Sequence, residues 1–135
     1  MRKVIILYLF AFSMLCACDL GPKQKINIID AKIAAGIDEK LMPINITNLF
    51  PKGTEKVFCW FSWKSTQVNT EIIASWRYVT DDIAILDYTF TIPRKEGQGS
   101  VALKMPEGKT LPSGVYNVDL NLGKHTLKSL KFKIE

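Results

Sequence analysis

The stretch VYNVDLNLGKHTLKSLKFKI, residues 115–134, alternates apolar and polar side chains on both sides of a Gly-Lys pair. The apolar positions are Tyr116, Val118, Leu120 and Leu122 before the pair, and Leu130, Phe132 and Ile134 after it. A period of two puts these side chains on one face of an extended strand, as in a strand with one buried face. Gly123-Lys124 fits a two-residue type II′ turn, because glycine accepts a positive φ. The stretch therefore predicts an antiparallel β-hairpin.

Short runs of the same kind fill the chain before this hairpin. Their apolar sides are Ile72, Ala74, Trp76 and Tyr78; then Tyr88, Phe90 and Ile92; and then Val101, Leu103 and Met105. Residues 57–63 are dense in aromatic and β-branched side chains, and residues 44–47 alternate briefly. Turn-forming residues separate the runs, which favours antiparallel strands over an alternating α/β order.

Two segments are predicted on weaker patterns. Gly97-Gln98-Gly99 is predicted as a turn, because paired glycines commonly interrupt strands. Residues 30–41 are the segment where a helix is least excluded, since Ala34-Ala35 and Asp38-Glu39-Lys40 have helical propensity. Gly36 counts against that helix.

Seven or eight short strands in about 100 residues predict an all-β, antiparallel immunoglobulin-like sandwich over residues 26–135. Its predicted core residues are Trp76, Tyr116 and Phe132. Cys59 has no partner for a disulfide between the sheets, because Cys16 and Cys18 lie in the N-terminal segment, so the domain is not of the antibody type.

Several turn and core motifs resemble those of a known group. They are Phe50-Pro51-Lys52-Gly53-Thr54, Trp63, Trp76-Arg77-Tyr78, Leu111-Pro112-Ser113-Gly114-Val115-Tyr116 and Phe132-Lys133-Ile134. Together they resemble small immunoglobulin-like modules of bacterial envelope proteins and lipoproteins. The resemblance implies a fold and assigns no catalytic residue.

The N-terminal segment has the three-part layout of an export signal. Arg2 and Lys3 precede an apolar run over residues 4–14, which is shorter than the roughly 20 residues of a membrane-spanning helix. Leu15-Cys16-Ala17-Cys18 resembles the lipobox of bacterial lipoproteins. That resemblance implies a signal peptide over residues 1–17, a diacylglycerol on the Cys18 thiol and a lipidated tether over residues 18–25. An ordinary signal cut after Ala17, or an uncleaved anchor, is the alternative.

The expected location is the bacterial cell envelope, with the chain held at a membrane through lipid on Cys18. Asp19 resembles the signal that retains enteric lipoproteins in the inner membrane, but the choice of membrane and leaflet stays open. Without Arg2 and Lys3, 16 basic residues stand against 13 acidic ones, a net charge of +3. Scattered lysines then indicate either a solvated strand face or contact with anionic lipid or an acidic partner. Export argues against nucleic acid as a partner.

Candidate chemical sites are few, and no catalytic site, metal site or cofactor is predicted. His125 is the single histidine and stands beside the predicted hairpin turn. Asp81-Asp82 has no surrounding calcium-loop motif, so it is predicted as a turn. Cys59 lies in an apolar run without an adjacent histidine or base, which indicates a buried thiol.

Aromatic side chains are the remaining candidates for binding. Phe58 and Trp60 fall on the strand face opposite Cys59 and Phe61, so they form a possible binding surface. The alternative is that residues 26–50 cover this face, or that the strand is central in its sheet and more fully buried. The predicted function is a non-enzymatic, lipid-anchored module that binds an envelope protein partner. The second hypothesis is binding of glycan or peptidoglycan through exposed aromatics, and the oligomeric state stays open.

Overall fold

The computed structural model describes residues 26–135, which form nine β-strands in two sheets around one core. In chain order the strands are β1 (Ile26–Ile37), β2 (Pro43–Ile46), β3 (Leu49–Phe50), β4 (Lys56–Ser65), β5 (Glu71–Tyr78), β6 (Ile83–Thr91), β7 (Glu96–Lys104), β8 (Gly114–Leu122) and β9 (His125–Ile134). No helix occurs in these residues, and accordingly none of membrane-spanning length and apolarity. The predicted all-β antiparallel sandwich is confirmed.

The strands divide into sheets of four and five. The first sheet has the order β2-β1-β4-β7 and the second the order β3-β9-β8-β5-β6. Neighbouring strands are antiparallel except β3, which pairs in parallel with the end of β9. β1 contacts β9 across the sandwich. In the second sheet, β6 is therefore one edge strand, and β9 lies next to the short edge strand β3.

The core forms where the apolar sides of the strands meet. Trp76, Tyr116 and Phe132 are all buried there. Phe132 stacks on Tyr116 with ring centroids 4.9 Å apart, and it meets Trp76 edge-on at 6.1 Å. Tyr116 also donates a hydrogen bond through its hydroxyl to the carbonyl of Pro112, which ties the loop before β8 to the core.

The C-terminal hairpin has the geometry that its sequence predicts. Leu122 pairs with His125 across the two-residue loop, and Gly123 has a φ of 57°. Lys124 is not in the left-handed region, so the φ signs of the two loop residues match a type II′ turn. Asp82 lies at a turn with a φ of 55°, as expected for the break before β6.

One prediction on local structure is wrong, and one alternative that the sequence left open is resolved. Gly97-Gln98-Gly99 lies inside β7 and pairs with β4, where the glycines make room for aromatic rings. A Cβ on Gly99 would stand 2.6 Å from the Phe90 ring. Residues 30–37 continue β1 instead of forming a helix, because pairing with β4 buries Ala31 and Ile33 in the core. The strand count is nine because the two-residue β3 is included.

Residues 1–25 lie outside the described part of the chain. The predicted signal peptide over residues 1–17, the tether over residues 18–25 and the lipidation of Cys18 therefore remain predictions. The chain described here begins at Ile26, which pairs with Ser65 at the last position of β4. Ile26 therefore lies at one end of the first sheet.

Candidate interaction surface

Trp60 does not form an exposed binding surface, which corrects the sequence prediction. Its side chain is only 5 % exposed, and its indole N–H donates a hydrogen bond of 2.8 Å to the carbonyl of Leu41. The connection between β1 and β2 therefore covers this ring. Phe58 is half-buried beneath the ammonium of Lys56, which lies 4.5 Å from the ring centroid. Residues 26–50 therefore cover Trp60, as the alternative to an exposed binding surface predicts.

The other polar candidates are separated from one another. Cys59 is fully buried, and burial raises the pKa of its thiol to about 12, so it is not a thiolate nucleophile at neutral pH. His125 is exposed at the β8–β9 turn, and Asp82 pairs with Arg77. Among residues 26–135, no group of three histidine, cysteine or acidic side chains is placed to hold a metal ion.

β6 carries a surface that the sequence analysis did not single out. The strand is nine residues long and, as the last strand of the second sheet, pairs only with β5 within the described chain. Large apolar side chains on it, Ile83, Ile85, Leu86 and Tyr88, are each between 39 % and 50 % exposed. We call these four residues the β6 surface. A long edge strand with exposed apolar residues is a ready template for pairing with another chain.

Register explains why these side chains lie exposed. Leu86 pairs with Trp76 and Tyr88 pairs with Ala74, so both point to the same side as buried core residues. Of the residues on this side of β6, Phe90 reaches the first sheet, where its ring meets Phe61 at 5.1 Å. Leu86 and Tyr88 keep about half their surface in solvent. The core-facing side of β6 is therefore apolar and only partly covered by the first sheet.

An irregularity widens this apolar surface. The pairing of β5 with β6 shifts between Trp76 and Arg77, so that Ile85 is an extra residue on β6. Ile83 and Ile85 line an apolar groove of about 160 Å³ together with Met105 and Leu111. The groove offers space for an aliphatic side chain next to the free strand edge.

The charge of β6 differs from that of the whole protein. Residues 79–91 contain Asp81, Asp82 and Asp87 and no basic residue, whereas the full chain has a net charge of +5. Asp87 pairs with Ser75, on the side of β6 opposite Leu86 and Tyr88. β6 therefore carries one acidic side chain, Asp87, on its outer face and apolar side chains on its inner face.

One sequence signal for this surface exists in retrospect. Residues 83–90, IAILDYTF, include no lysine or proline, the residues with which exposed strand edges are commonly protected. The adjacent pair Ile85-Leu86 also breaks the strict alternation. Neither feature identifies an edge strand until the sheet order is known.

A wider depression lies elsewhere and is a weaker candidate. Its volume is about 490 Å³, and its lining includes Lys40, Arg94, Glu96 and Gln98. Charges of both signs give it no single preference for an anion or a cation. Gln98 donates a hydrogen bond to the carbonyl of Lys40, so part of the lining is already occupied by internal contacts.

Solved structures resemble this sandwich. An immunoglobulin-like protein from Pseudomonas aeruginosa superposes with a TM-score of 0.60 at 13 % identity, over 85 % of this chain and 100 % of that one. The fold is immunoglobulin-like. An alkylpurine DNA glycosylase from Pseudomonas fluorescens matches 85 % of this chain but only 32 % of its own length, with a TM-score of 0.50 at 12 % identity. No family model and no curated protein sequence matches the chain.

Sequence identities this low support the fold alone. The immunoglobulin-like architecture does not assign a function by itself. Among the described residues, large apolar side chains are exposed on β6 and also around the edge strand β2, where they are Leu41, Met42, Ile44, Ile46 and Leu49. β2 has four residues and β6 has nine, so β6 offers the longer edge to another strand.

Proposed function

We propose that this protein is a non-enzymatic, lipid-anchored module of the bacterial envelope that binds a protein partner along β6. The observation that supports it is the nine-residue edge strand with four large apolar side chains in solvent. Exposed contiguous apolar surface on a soluble domain is typical of interaction sites.

Strand addition is the mode of binding that this edge favours. An added strand would hydrogen-bond to the backbone groups of β6 that β5 does not use, which supplies affinity independent of sequence. Its alternate side chains would pack beneath Leu86 and Tyr88, and one could enter the groove beside Ile83. The added strand would also shield Leu86 and Tyr88 from water, which the sandwich alone does not do.

The proposed anchor sets where this binding occurs. Lipid on Cys18 would leave only residues 19–25 between the membrane and the domain, a reach of at most about 25 Å. The partner is therefore proposed to be another envelope protein close to the same membrane. Nucleic acid and cytoplasmic proteins are not part of the proposal.

Glycan binding is the less favoured function. Sugar stacking requires an exposed aromatic face, and Trp60 is covered by the β1–β2 connection. Tyr88 is exposed, but its neighbours on the β6 surface are aliphatic, which suits protein contact better than a polar sugar.

Site-specific photo-cross-linking in intact cells tests the proposal. A photoreactive residue replaces Tyr88 in one full-length lipidated chain and Ile29 in a matched control, since Ile29 is also an exposed apolar side chain but lies in β1. We expect a discrete protein adduct from position 88 and none from position 29. Adding Leu86→Lys should remove the adduct. Equal adducts from both positions, or none from position 88, would contradict binding at β6.

A further inference from the structure

The two sides of the second sheet carry opposite charge. Residues 79–91, which include β6, hold Asp81, Asp82 and Asp87 and no basic residue, and Asp82 is paired with Arg77 of β5. Residues 123–134, which include β9, hold Lys124, Lys128, Lys131 and Lys133 and no acidic residue, and Lys133 is paired with Glu135. Asp87 on β6 and Lys124, Lys128 and Lys131 on or beside β9 have no ion pair within the described residues that reverses this contrast. Complementary charge on the two sides of one sheet allows attraction between copies of the same chain.

Much of the β9 edge is also free for pairing. β3 pairs only with Lys133 and Ile134, so within the described chain no strand forms a β-ladder with the edge of β9 from His125 to Lys131. β1 lies close beneath this strand, and the β2–β3 connection reaches its end, where Lys133 donates a hydrogen bond to the carbonyl of Asn48. Lysines on this edge oppose pairing with another basic strand. They do not oppose pairing with an acidic strand such as β6.

Cross-strand registers show which residues lie at the same level on the two edges. One row runs from Asp87 through Ser75 and Asp119 to Ser129. The next row, on the core-facing side, runs from Leu86 through Trp76 and Val118 to Leu130. A copy placed beside another without axial shift would bring Leu86 next to Leu130 and Asp87 next to Ser129, diagonal to Lys131. Apolar side chains would thus meet on one face and opposite charges on the other.

Strand direction agrees with this arrangement. β6, β5, β8 and β9 are successively antiparallel, so β6 and β9 run in opposite directions. A second copy in the same orientation therefore presents β9 antiparallel to β6. No inversion of the molecule is needed.

We propose that the partner at β6 is a second copy of this chain, which adds the free edge of its β9 as an antiparallel strand. This inference rests on the proposed function, because it names the occupant of the same surface. The contact joins two different edges, so it leaves a free β6 at one end and a free β9 at the other. Repetition gives a row of copies, or a ring where the rotation closes.

The predicted anchor favours this contact over pairing of β6 with β6. Antiparallel pairing of two β6 strands would invert one copy and direct its Ile26 away from the membrane. Nine residues of strand span about 30 Å, more than the roughly 25 Å that residues 19–25 can reach. Copies joined through β6 and β9 instead keep every Ile26 at the same end, so all tethers reach one membrane.

A disulfide test distinguishes these geometries. Thr89 and Thr126 share a row through Ile73 and Asn121, so their Cβ atoms would be cross-strand neighbours in the proposed contact. Full-length lipidated Thr89→Cys and Thr126→Cys chains are oxidised separately and as a mixture in phosphatidylglycerol-containing vesicles. We expect a disulfide dimer in the mixture at least about fivefold above either chain alone. Cys59 is buried and should not react.

Reversing single charges on β6 and β9 tests the same contact without the new cysteines. Asp87→Lys should lower self-association about fivefold, and Lys131→Asp should do the same, because each places like charges across the contact. Mixing the two variants should restore dimers, since the acidic β6 of one still meets the basic β9 of the other. Sedimentation of detergent-solubilised protein measures this, with circular dichroism to show that each variant is folded.

The outcomes separate this inference from the proposed function. A disulfide formed by Thr89→Cys alone would mean β6–β6 pairing and would overturn the inference. Adducts from position 88 to a different protein, with no dimer in the cysteine mixture, would also overturn it while leaving partner binding at β6 intact. No adduct and no dimer would overturn both.

Discussion

Trp76 combines complete burial with an unused hydrogen-bond donor. Its indole nitrogen is buried and makes no hydrogen bond within the described residues. Trp76→Ala should lower the free energy of unfolding by about 3–5 kcal/mol, because it leaves a large cavity in the buried core beside Phe132. Trp76→Phe should be milder, since it keeps a ring and removes the unpaired donor. Urea unfolding of both variants checks this. Equal losses would mean that a phenyl ring at this position recovers none of the packing that Trp76 provides.

Cys59 and Tyr116 make stability depend on alkaline pH. Burial raises the pKa of the Cys59 thiol from 9.0 to about 12. Burial, followed by repulsion from Tyr78, raises the pKa of Tyr116 from 10.0 to about 12. Both groups hold their protons more tightly in the folded chain. Their stabilising effect is therefore complete below about pH 9 and is lost as pH rises towards 12.

The expected measurement is a level free energy of unfolding up to about pH 9 and a decline from there to about pH 12. Cys59→Ala should make the decline start nearer pH 10, because only Tyr116 then contributes. Native Cys59 should also resist thiol reagents until the protein unfolds. Rapid labelling of the folded chain would contradict the burial on which this prediction depends.

β7 shows why two glycines belong inside a strand. Gly99 lies under the Phe90 ring. A Cβ added to Gly97 would stand 3.0 Å from Cζ2 of Trp63. Gly99→Ala should destabilise the domain by about 1–3 kcal/mol through overpacking. Gly36→Ala is the matched control, since its Cβ would meet Ile44 at an ordinary 3.8 Å.

The measurement is chemical unfolding of both glycine variants, of Phe90→Leu, and of Gly99→Ala combined with Phe90→Leu. We expect Gly36→Ala to be near wild type and the double variant to lose less than the two single losses added together, because the smaller side chain relieves the clash. Additive losses would show that Phe90 is not what excludes a side chain at position 99.

Elements differ in how far local sequence determined them. The β8–β9 hairpin is encoded locally, by alternation and by a glycine at the one turn position that requires positive φ. β1 is not, because residues 30–37 are compatible with a helix and become a strand through pairing with β4. Gly97-Gln98-Gly99 has turn composition, and only the rings of Phe90 and Trp63 explain its place in β7.

The proposed attachment to a membrane concerns the whole molecule. Cys18→Ser should abolish incorporation of labelled lipid and release the protein from the membrane fraction, because the predicted acyl chains are the only proposed anchor. Metabolic labelling with a fatty-acid analogue and fractionation measure this, with Cys59→Ser as the control thiol. Unchanged labelling in Cys18→Ser would contradict the anchor.

The apolar alternation over residues 72–92 and 115–134 was enough to predict an all-β sandwich and its core residues Trp76, Tyr116 and Phe132, because a strand's period of two is a local property. The sequence pattern could not tell which strand lies at an edge, since that depends on pairing between distant segments. The sheet order leaves Leu86 and Tyr88 of β6 exposed to solvent, and the β1–β2 connection covers Trp60. The candidate binding surface was therefore decided by tertiary structure.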